Sequence, residues 1–489
     1  MADPREGGGR AANRQRPARR SKVDASRLAA FDVLTAVREQ GAYTNLVLPP
    51  MLRARQISGR DAAFATELVS GTIRRQGTYD AVIGANVNRP LDKVDAAVLD
   101  ALRLGTHQIL AMRVPSHAAV ATTVDLVRDR IGHGPAGFVN AVLRRIAEHD
   151  LFGWVRRVAP DPTTDPTGFA AVAYSHPRWV VEALAAALDS SAAVVQGTAA
   201  PVQAVNDLES LLAADNAAPK VTLVARPGLS AVDELVAAGG TASTMSPYAV
   251  ELLGGDPGEV AAVAEGRAGV QDEGSQMVAL GMARATVDGR DERWLDMCAG
   301  PGGKSALLAA LAGERGARLL ASDRLPHRAE LVRSATAAVA TLGTGGLLGV
   351  VTADGTRPAW RLGSFDRALV DAPCSGLGAL RRRPESRWRR TPADLEDLVP
   401  LQTALLNAAL DSVRAGGVVA YATCSPVLSE TSGVVSSVLD ARCDVALEDA
   451  APLFDTVPEP YDGPLQGTVQ LWPHRHHTDA MFFALLRRS

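Results

Sequence analysis

Two cysteines stand where apolar runs give way to turn sequence. Residues 365–370 (FDRALV) pass into Asp371-Ala-Pro-Cys374-Ser-Gly, and residues 418–422 (VVAYA) pass into Thr423-Cys424-Ser-Pro. A cysteine inside an apolar strand is ordinarily a small core residue. Cysteines that leave the strand for a turn are poorly explained by burial, and two at the ends of neighbouring strands share one cleft, where a thiolate can act as a nucleophile. Upstream, residues 294–305 (WLDMCAGPGGKS) read as strand, small-residue turn and helix. Such a turn brings backbone close to a ligand at a helix N-terminus. A Walker loop needs glycine where Cys298 stands, and the G-x-G-x-x-G fingerprint fits Gly300 and Gly302 but fails at Ser305. Neither polyphosphate motif is met.

S-adenosylmethionine is a third ligand that wants this turn, because it carries no phosphate and needs close backbone approach plus a carboxylate after the next strand for its ribose. Residues 318–322 supply that strand and Asp323 follows; after residues 348–352 comes Asp354. Ligands in an open parallel sheet lie beyond the carboxyl ends of the strands, so everything after a strand here is a candidate site residue.

These strands need a scaffold. With 489 residues the chain is expected to form two to four domains. Residues 1–22, with 7 Lys/Arg against 2 Asp/Glu, are expected to be a disordered basic tail. Residues 23–150 read as an all-α domain of six or seven helices, with Asp92 and Ser116 as caps. Residues 151–174 read as a linker around PDPTTDPTG, 175–267 as a small α+β module, and 268–489 as the alternating strands and helices of a doubly wound sheet.

Residues 1–150 hold 22 Lys/Arg against 15 Asp/Glu, so a nucleic-acid partner is permitted. The four cysteines form no C-x-x-C pair, and His474, His476 and His477 have no second cluster beside them, so disulfides and metal are not expected and the histidines read as a solvated loop. There is no apolar run of membrane-spanning length and no signal-peptide pattern, so a soluble cytoplasmic protein is expected, acting as a monomer.

In order along the chain, DMCAGPGGK, SD, ADGT, DAPCSGLG and YATCSP resemble the motifs of the Nol1/Nop2/Sun family of RNA cytosine-C5 methyltransferases. VQDEGSQ at residues 270–276 and TDAMFFALL at 478–486 resemble that family too, and TELVSGTIRR with FVNAVLRR resembles the NusB-like RNA-binding domain. The resemblance covers nearly the whole chain after the tail. It implies a Rossmann-like catalytic domain, S-adenosylmethionine as cofactor, and RNA as substrate, specifically small-subunit ribosomal RNA. It assigns Cys424 as the nucleophile and Cys374 as the residue that helps release product, the reverse of DNA cytosine methyltransferases, whose nucleophile lies in the Pro-Cys motif. It also implies that Cys298, Ala299, Gly300, Pro301, Gly302, Gly303, Lys304, Asp323, Asp354 and Asp371 contact the cofactor, with Asp371 alternatively meeting the base.

The chemistry accounts for two thiols. C5 of cytosine is a poor nucleophile until a thiolate adds to C6; afterwards the C5 proton must leave so that the thiol can depart. Arg381, Arg382, Arg383, Arg387, Trp388, Arg389 and Arg390 interleave charge with an aromatic beside Cys374, which suits contact with RNA around a flipped base. Two departures stand out: Glu430-Thr431 where the family tends to carry Glu-Asn, and Ala225-Arg226-Pro227 where it carries Arg-x-Asn. The competing readings are a non-catalytic RNA-binding or ribosome-assembly factor of the same ancestry, and tRNA as the substrate.

Overall fold

Aspartates open several helices of the N-terminal half, and each accepts backbone N–H groups that have no partner in the helix itself. A computed structural model describes residues 23–196, 201–342, 345–459 and 461–489; the basic tail lies outside the described residues. Asp24 caps the helix Ala25–Glu39. Asp95, not Asp92, caps Ala96–Leu110, accepting from the N–H groups of Ala97 and Val98 at 3.0 Å. Asp92 sits in the preceding single turn, and Ser116 is the first helical residue after Pro115 rather than a cap. Seven helices up to Ile146 enclose an apolar core that includes Phe31, Leu68, Tyr79, Leu102 and Leu143.

The expected linker is largely helical. Asp150 caps Leu151–Val158, whose Trp154 is buried in the same core and donates to Ile146 O at 2.8 Å. Asp165, followed by Pro166 in the first turn, caps Pro166–Ala173. Only the residues between these helices connect without a helix.

The middle region divides differently from the expected 175–267 module. The helices Arg178–Gln196 and Pro201–Asp215 pair, and Val181, Leu184 and Leu212 pack on Leu377, Leu380 and Trp472 of the catalytic part. The antiparallel sheet is built from β1 (Val221–Ala225), β2 (Gly240–Ala242), β3 (Ala249–Leu252) and β4 (Ala268–Val270), in the order β2-β3-β1-β4. β4 pairs with β1, so this module extends past residue 267.

The catalytic sheet comprises β5 (Arg293–Asp296), β6 (Arg318–Asp323), β7 (Leu347–Thr352), β8 (Phe365–Asp371), β9 (Val413–Thr423), β10 (Val445–Glu448), β11 (Val469–Gln470) and β12 (Phe482–Arg488). Its order is β10-β12-β9-β8-β5-β6-β7, with β11 alongside β12. β5 to β9 are parallel, and β12 enters antiparallel between β9 and β10. The direction of progression reverses at β5, because β6 lies on one side of it and β8 on the other. That switch point is where a crevice opens at the carboxyl ends of the strands. The protein is therefore multidomain: all-α, small α+β and Rossmann-like α/β.

One segment joins these parts. Residues 381–390, expected to face RNA, run through the junction of helical domain, helical pair and catalytic sheet. The Arg387 side chain is 0% exposed and donates to the carbonyls of Arg74, Ser175 and Asp215 and to Asn216 Oδ1, at 2.8 to 3.3 Å. Trp388 Nε1 donates to Ile73 O at 2.9 Å, and Arg389 reaches the carbonyls of Val37, Gly41 and Ala42. Glu385 caps the helix Thr44–Ala54 from another domain, accepting from Thr44 N and Oγ1 at 3.1 Å. Arginine suits this work because its planar fork satisfies several carbonyls at once.

Arg387→Ala leaves those acceptors unpaired in a dry interior. The expected cost is about 3–5 kcal/mol, read as a lower urea midpoint together with faster proteolysis near residue 175. An unchanged midpoint would show that Arg387 faces solvent.

Candidate active site

The loop after β5 is shaped by close backbone approach. Gly302 has φ of 111° and precedes the helix Gly303–Glu314; a Cβ there would lie 2.6 Å from the Cβ of Ala335. At Gly300 a Cβ would meet Asp323 Oδ2 at 2.5 Å, so this glycine lets its own N–H reach that oxygen at 3.0 Å. Asp323, buried at the end of β6, accepts also from Leu325 N at 2.9 Å and has the Arg328 guanidinium 3.4 Å away. Asp354 is exposed beyond β7, its carboxylate turned into Thr356 N and Oγ1. Asp296 ends β5 fully buried, accepts from Ser305 Oγ at 2.6 Å, and keeps Oδ1 without a partner; burial pushes its carboxyl up to about 7.

Lys304 is not a solvated lysine of the first helical turn. Its side chain is 12% exposed, and Nζ donates to Asp371 Oδ2 at 2.9 Å, bridging the loop to the end of β8. Asp371 is in register with Ala422 of β9, so the turns that follow β8 and β9 lie side by side.

Those turns bring Cys374 Sγ and Cys424 Sγ to 3.5 Å. The two thiols are driven apart in acidity. Cys374 is held well above the usual thiol range, first by its hydrogen bond with Cys424 and then by burial. Cys424 is lowered, first by its hydrogen bond with Cys374; the Arg383 guanidinium and Lys304 ammonium assist, while burial and Asp371 oppose. Burial raises Cys298, which packs beside the core around Tyr421 and is left as a neutral thiol. The arrangement pairs a thiol of lowered pKa with a thiol of raised pKa, beside an ammonium–carboxylate pair.

Residues 286–487 match the profile of the family described as 16S rRNA methyltransferase RsmB/F, and residues 24–148 match the NusB family. Over 474 residues the chain is 31% identical to the probable ribosomal RNA small subunit methyltransferase B of Synechocystis sp., covering 95% of this chain and 99% of that protein. It belongs to the RsmB/F methyltransferase family. A 50% identity over 477 residues, 97% of this chain and 99% of the relative, links it to the putative methyltransferase Rv1407 of Mycobacterium tuberculosis. The crystal structure of PH0851 shares the fold at a TM-score of 0.73 and 21% identity, over 94% of this chain and 97% of that one. NSun6 from Pyrococcus horikoshii, solved with SFG, covers 58% of this chain and 95% of its own at a TM-score of 0.50 and 17% identity.

In this RsmB/F-family chain the arginine segment corrects the sequence expectation: Arg381, Arg387, Trp388 and Arg389 are tied into the protein and cannot form a free RNA surface. Arg382 pairs with Asp272 and Asp479, which brings the VQDEGSQ and TDAMFFALL segments together. Arg390 donates to Ser375 O. Arg383 alone of the seven is exposed; it lies 5.4 Å from the ring centre of Tyr43, contributed by the helical domain. Two of the three histidines are folded in rather than solvated, since His474 pairs with Asp207 and the buried His476 accepts from Trp472 N, while His477 is exposed. Among the described residues no His/Cys/Asp/Glu group could hold a metal, and no helix is long and apolar enough to cross a membrane.

Sequence reasoning met Glu430 only within the Glu430-Thr431 departure, without a role, and missed Tyr43. An acid six residues after Cys424, in a stretch otherwise apolar or hydroxylic, was the available signal for the first. Nothing local marks the second.

Proposed function

We propose that the chain methylates C5 of a cytosine in RNA, with 16S ribosomal RNA as substrate, S-adenosylmethionine as donor and Cys424 as nucleophile. The observation that carries this reading is the 3.5 Å contact between two thiols of opposed acidity at the ends of adjacent parallel strands.

The residues present fit the cofactor. The glycine cradle admits a ligand that a Cβ would exclude, the Gly303–Glu314 N-terminus offers free N–H groups to a carboxylate, and Asp323 retains acceptor capacity for ribose hydroxyls. Asp354 offers a further acceptor at the end of β7. Bound there, S-adenosylmethionine supplies a sulfonium methyl group.

The chain's own residues then divide the work. The Cys424 thiolate adds to C6, forming the C6–S bond and moving the C5–C6 pair onto C5 and the ring. Lys304 and Asp371 present a donor and an acceptor to the N3/N4 edge, so the charge that develops on the ring meets a fixed ammonium. After methyl transfer the C5 proton passes to solvent acting as the base, the C5–H electron pair re-forms C5–C6, and the C6–S pair leaves on Cys424 Sγ, with the Cys374 S–H positioned to hydrogen-bond the departing thiolate. The exposed Arg383 beside Tyr43 is the basic group that remains for phosphate contact at the mouth. All these groups come from one chain, and we propose that it acts alone, on ribosomal RNA in the cytoplasm.

Bisulfite sequencing of total RNA from cells with and without the gene tests the substrate. The expected result is one small-subunit cytosine that loses protection in the deletion and regains it on complementation. A change confined to tRNA overturns the ribosomal assignment, and an unchanged map overturns the reaction.

A further inference from the structure

Glu430 is a fully buried carboxylate that touches neither the cofactor loop nor the sulfur atoms, yet it holds the residue that follows each cysteine. Oε1 accepts from Ser375 N at 2.7 Å and Gln402 Nε2 at 3.0 Å; Oε2 accepts from Ser375 Oγ and Ser425 Oγ, both at 2.6 Å. Ser375 directly follows Cys374 and Ser425 directly follows Cys424. Gln402, on the helix Asp394–Ser412, also donates to Pro373 O at 2.9 Å, so the residues on both sides of Cys374 are held by one network.

The carboxylate is itself fixed at its backbone. Glu430 O accepts from Tyr421 OH at 2.8 Å, and Glu430 N donates to Val427 O at 2.9 Å. Four donors converge on its two oxygens, a pattern that only an acceptor at every approach satisfies; an amide would place its own N–H groups against at least one of them. The network is not what keeps the two strands together, because Ala372 N still donates to Ala422 O and Gly378 N to Cys424 O, at 2.9 Å each.

We infer that Glu430 is a positioning residue for the methyl-transfer reaction: by tying Ser375 and Ser425 to one carboxylate, it holds the two cysteine turns at the separation that lets Cys374 donate to Cys424. This rests on the reading of Cys424 as nucleophile. The consequence takes its sign from the thiol contact: the Glu430 charge itself raises Cys374, while Lys304, Arg383 and Asp371 face Cys424 whether or not the network is intact. While the contact holds, the Cys424 thiolate survives to lower pH than a free thiol, which titrates near about 8.5. When the turns drift apart the donor is lost, and the thiolate is present only at higher pH.

The test is the pH profile of Cys424 alkylation by iodoacetamide in the intact protein, read by peptide mass, beside the pH profile of kcat on 16S RNA. In Glu430→Gln the alkylation midpoint is expected to rise by about one pH unit, kcat near neutrality to fall about tenfold and recover as pH rises, and KM for RNA to stay unchanged. A folded Glu430→Gln with an unchanged midpoint, or a loss of kcat that higher pH does not restore, overturns the inference. Should that variant fail to fold, the Ser375→Ala/Ser425→Ala pair keeps the buried charge and removes both hydroxyl donors; the same upward shift supports the inference, and no shift overturns it. A wild-type protein that alkylates at Cys424 with a lowered midpoint but transfers no methyl group overturns the proposed reaction and leaves the role of Glu430 in the thiol pair intact.

Discussion

Cys424→Ala is expected to abolish methyl transfer to 16S RNA, by about 10⁴-fold or more, while S-adenosylmethionine binding is expected to stay within about twofold of the wild-type affinity. The loss is large because alanine leaves no atom that can bond C6, and without that bond C5 does not become nucleophilic. The cofactor is spared because the loop at residues 298–304 is held by contacts on the other side of β8: Gly300 on Asp323, Ser305 on Asp296, and Ala299 N on Ser322 O. The hydrogen-bond partner that Cys424 Sγ loses is Cys374, whose thiol remains neutral without it. Transfer of a labelled methyl group and calorimetric titration of the cofactor measure the two halves separately. Undiminished turnover would remove Cys424 from the nucleophile's place, and a parallel loss in Cys374→Ala with no adduct would move that role to the Pro-Cys turn.

The site was legible where chemistry and secondary structure share one stretch. Trp294-Leu-Asp into Gly302, and the two apolar runs into Cys374 and Cys424, announce strand ends by the change from apolar to turn residues, and the parallel register then places them together. Lys304 was legible as part of the loop, but its pairing with Asp371 depends on the adjacency of β5 and β8, which only the sheet order supplies. Arg387 was misread because composition shows charge and not its partners: the carbonyls it satisfies belong to residues 74, 175 and 215, far away in the chain. Glu430 was visible as an acid after Cys424, but its role was not, since its donors come from three separate segments. The helix Leu151–Val158 was missed because the Pro/Thr/Asp run just beyond it dominates the composition, although Asp150 ahead of it is a usable cap signal.

Cys374→Ala is expected to convert turnover into a trap. The same S–H hydrogen bond acts on both covalent steps, but unequally. Before attack it stabilises the thiolate: losing it lowers the fraction of Cys424 that is ionised, and the greater reactivity of the remaining thiolate recovers only part of that loss, so attack slows but continues. On release the thiolate is the leaving group, and without the S–H donor its departure is slowed. A hydrogen bond to a charged group contributes about 1.5–3 kcal/mol, which slows elimination by roughly 10- to 150-fold. Attack continues while release lags, so a C6–S adduct is expected to accumulate and to survive denaturing electrophoresis as a slower band carrying labelled RNA. The Cys374→Ala/Cys424→Ala double variant gives no such band, which identifies the attacking sulfur. If Cys374→Ala stops transfer without any adduct, Cys374 acts before or during attack, and the order of the two thiols along the reaction is the reverse of the one argued from their acidities.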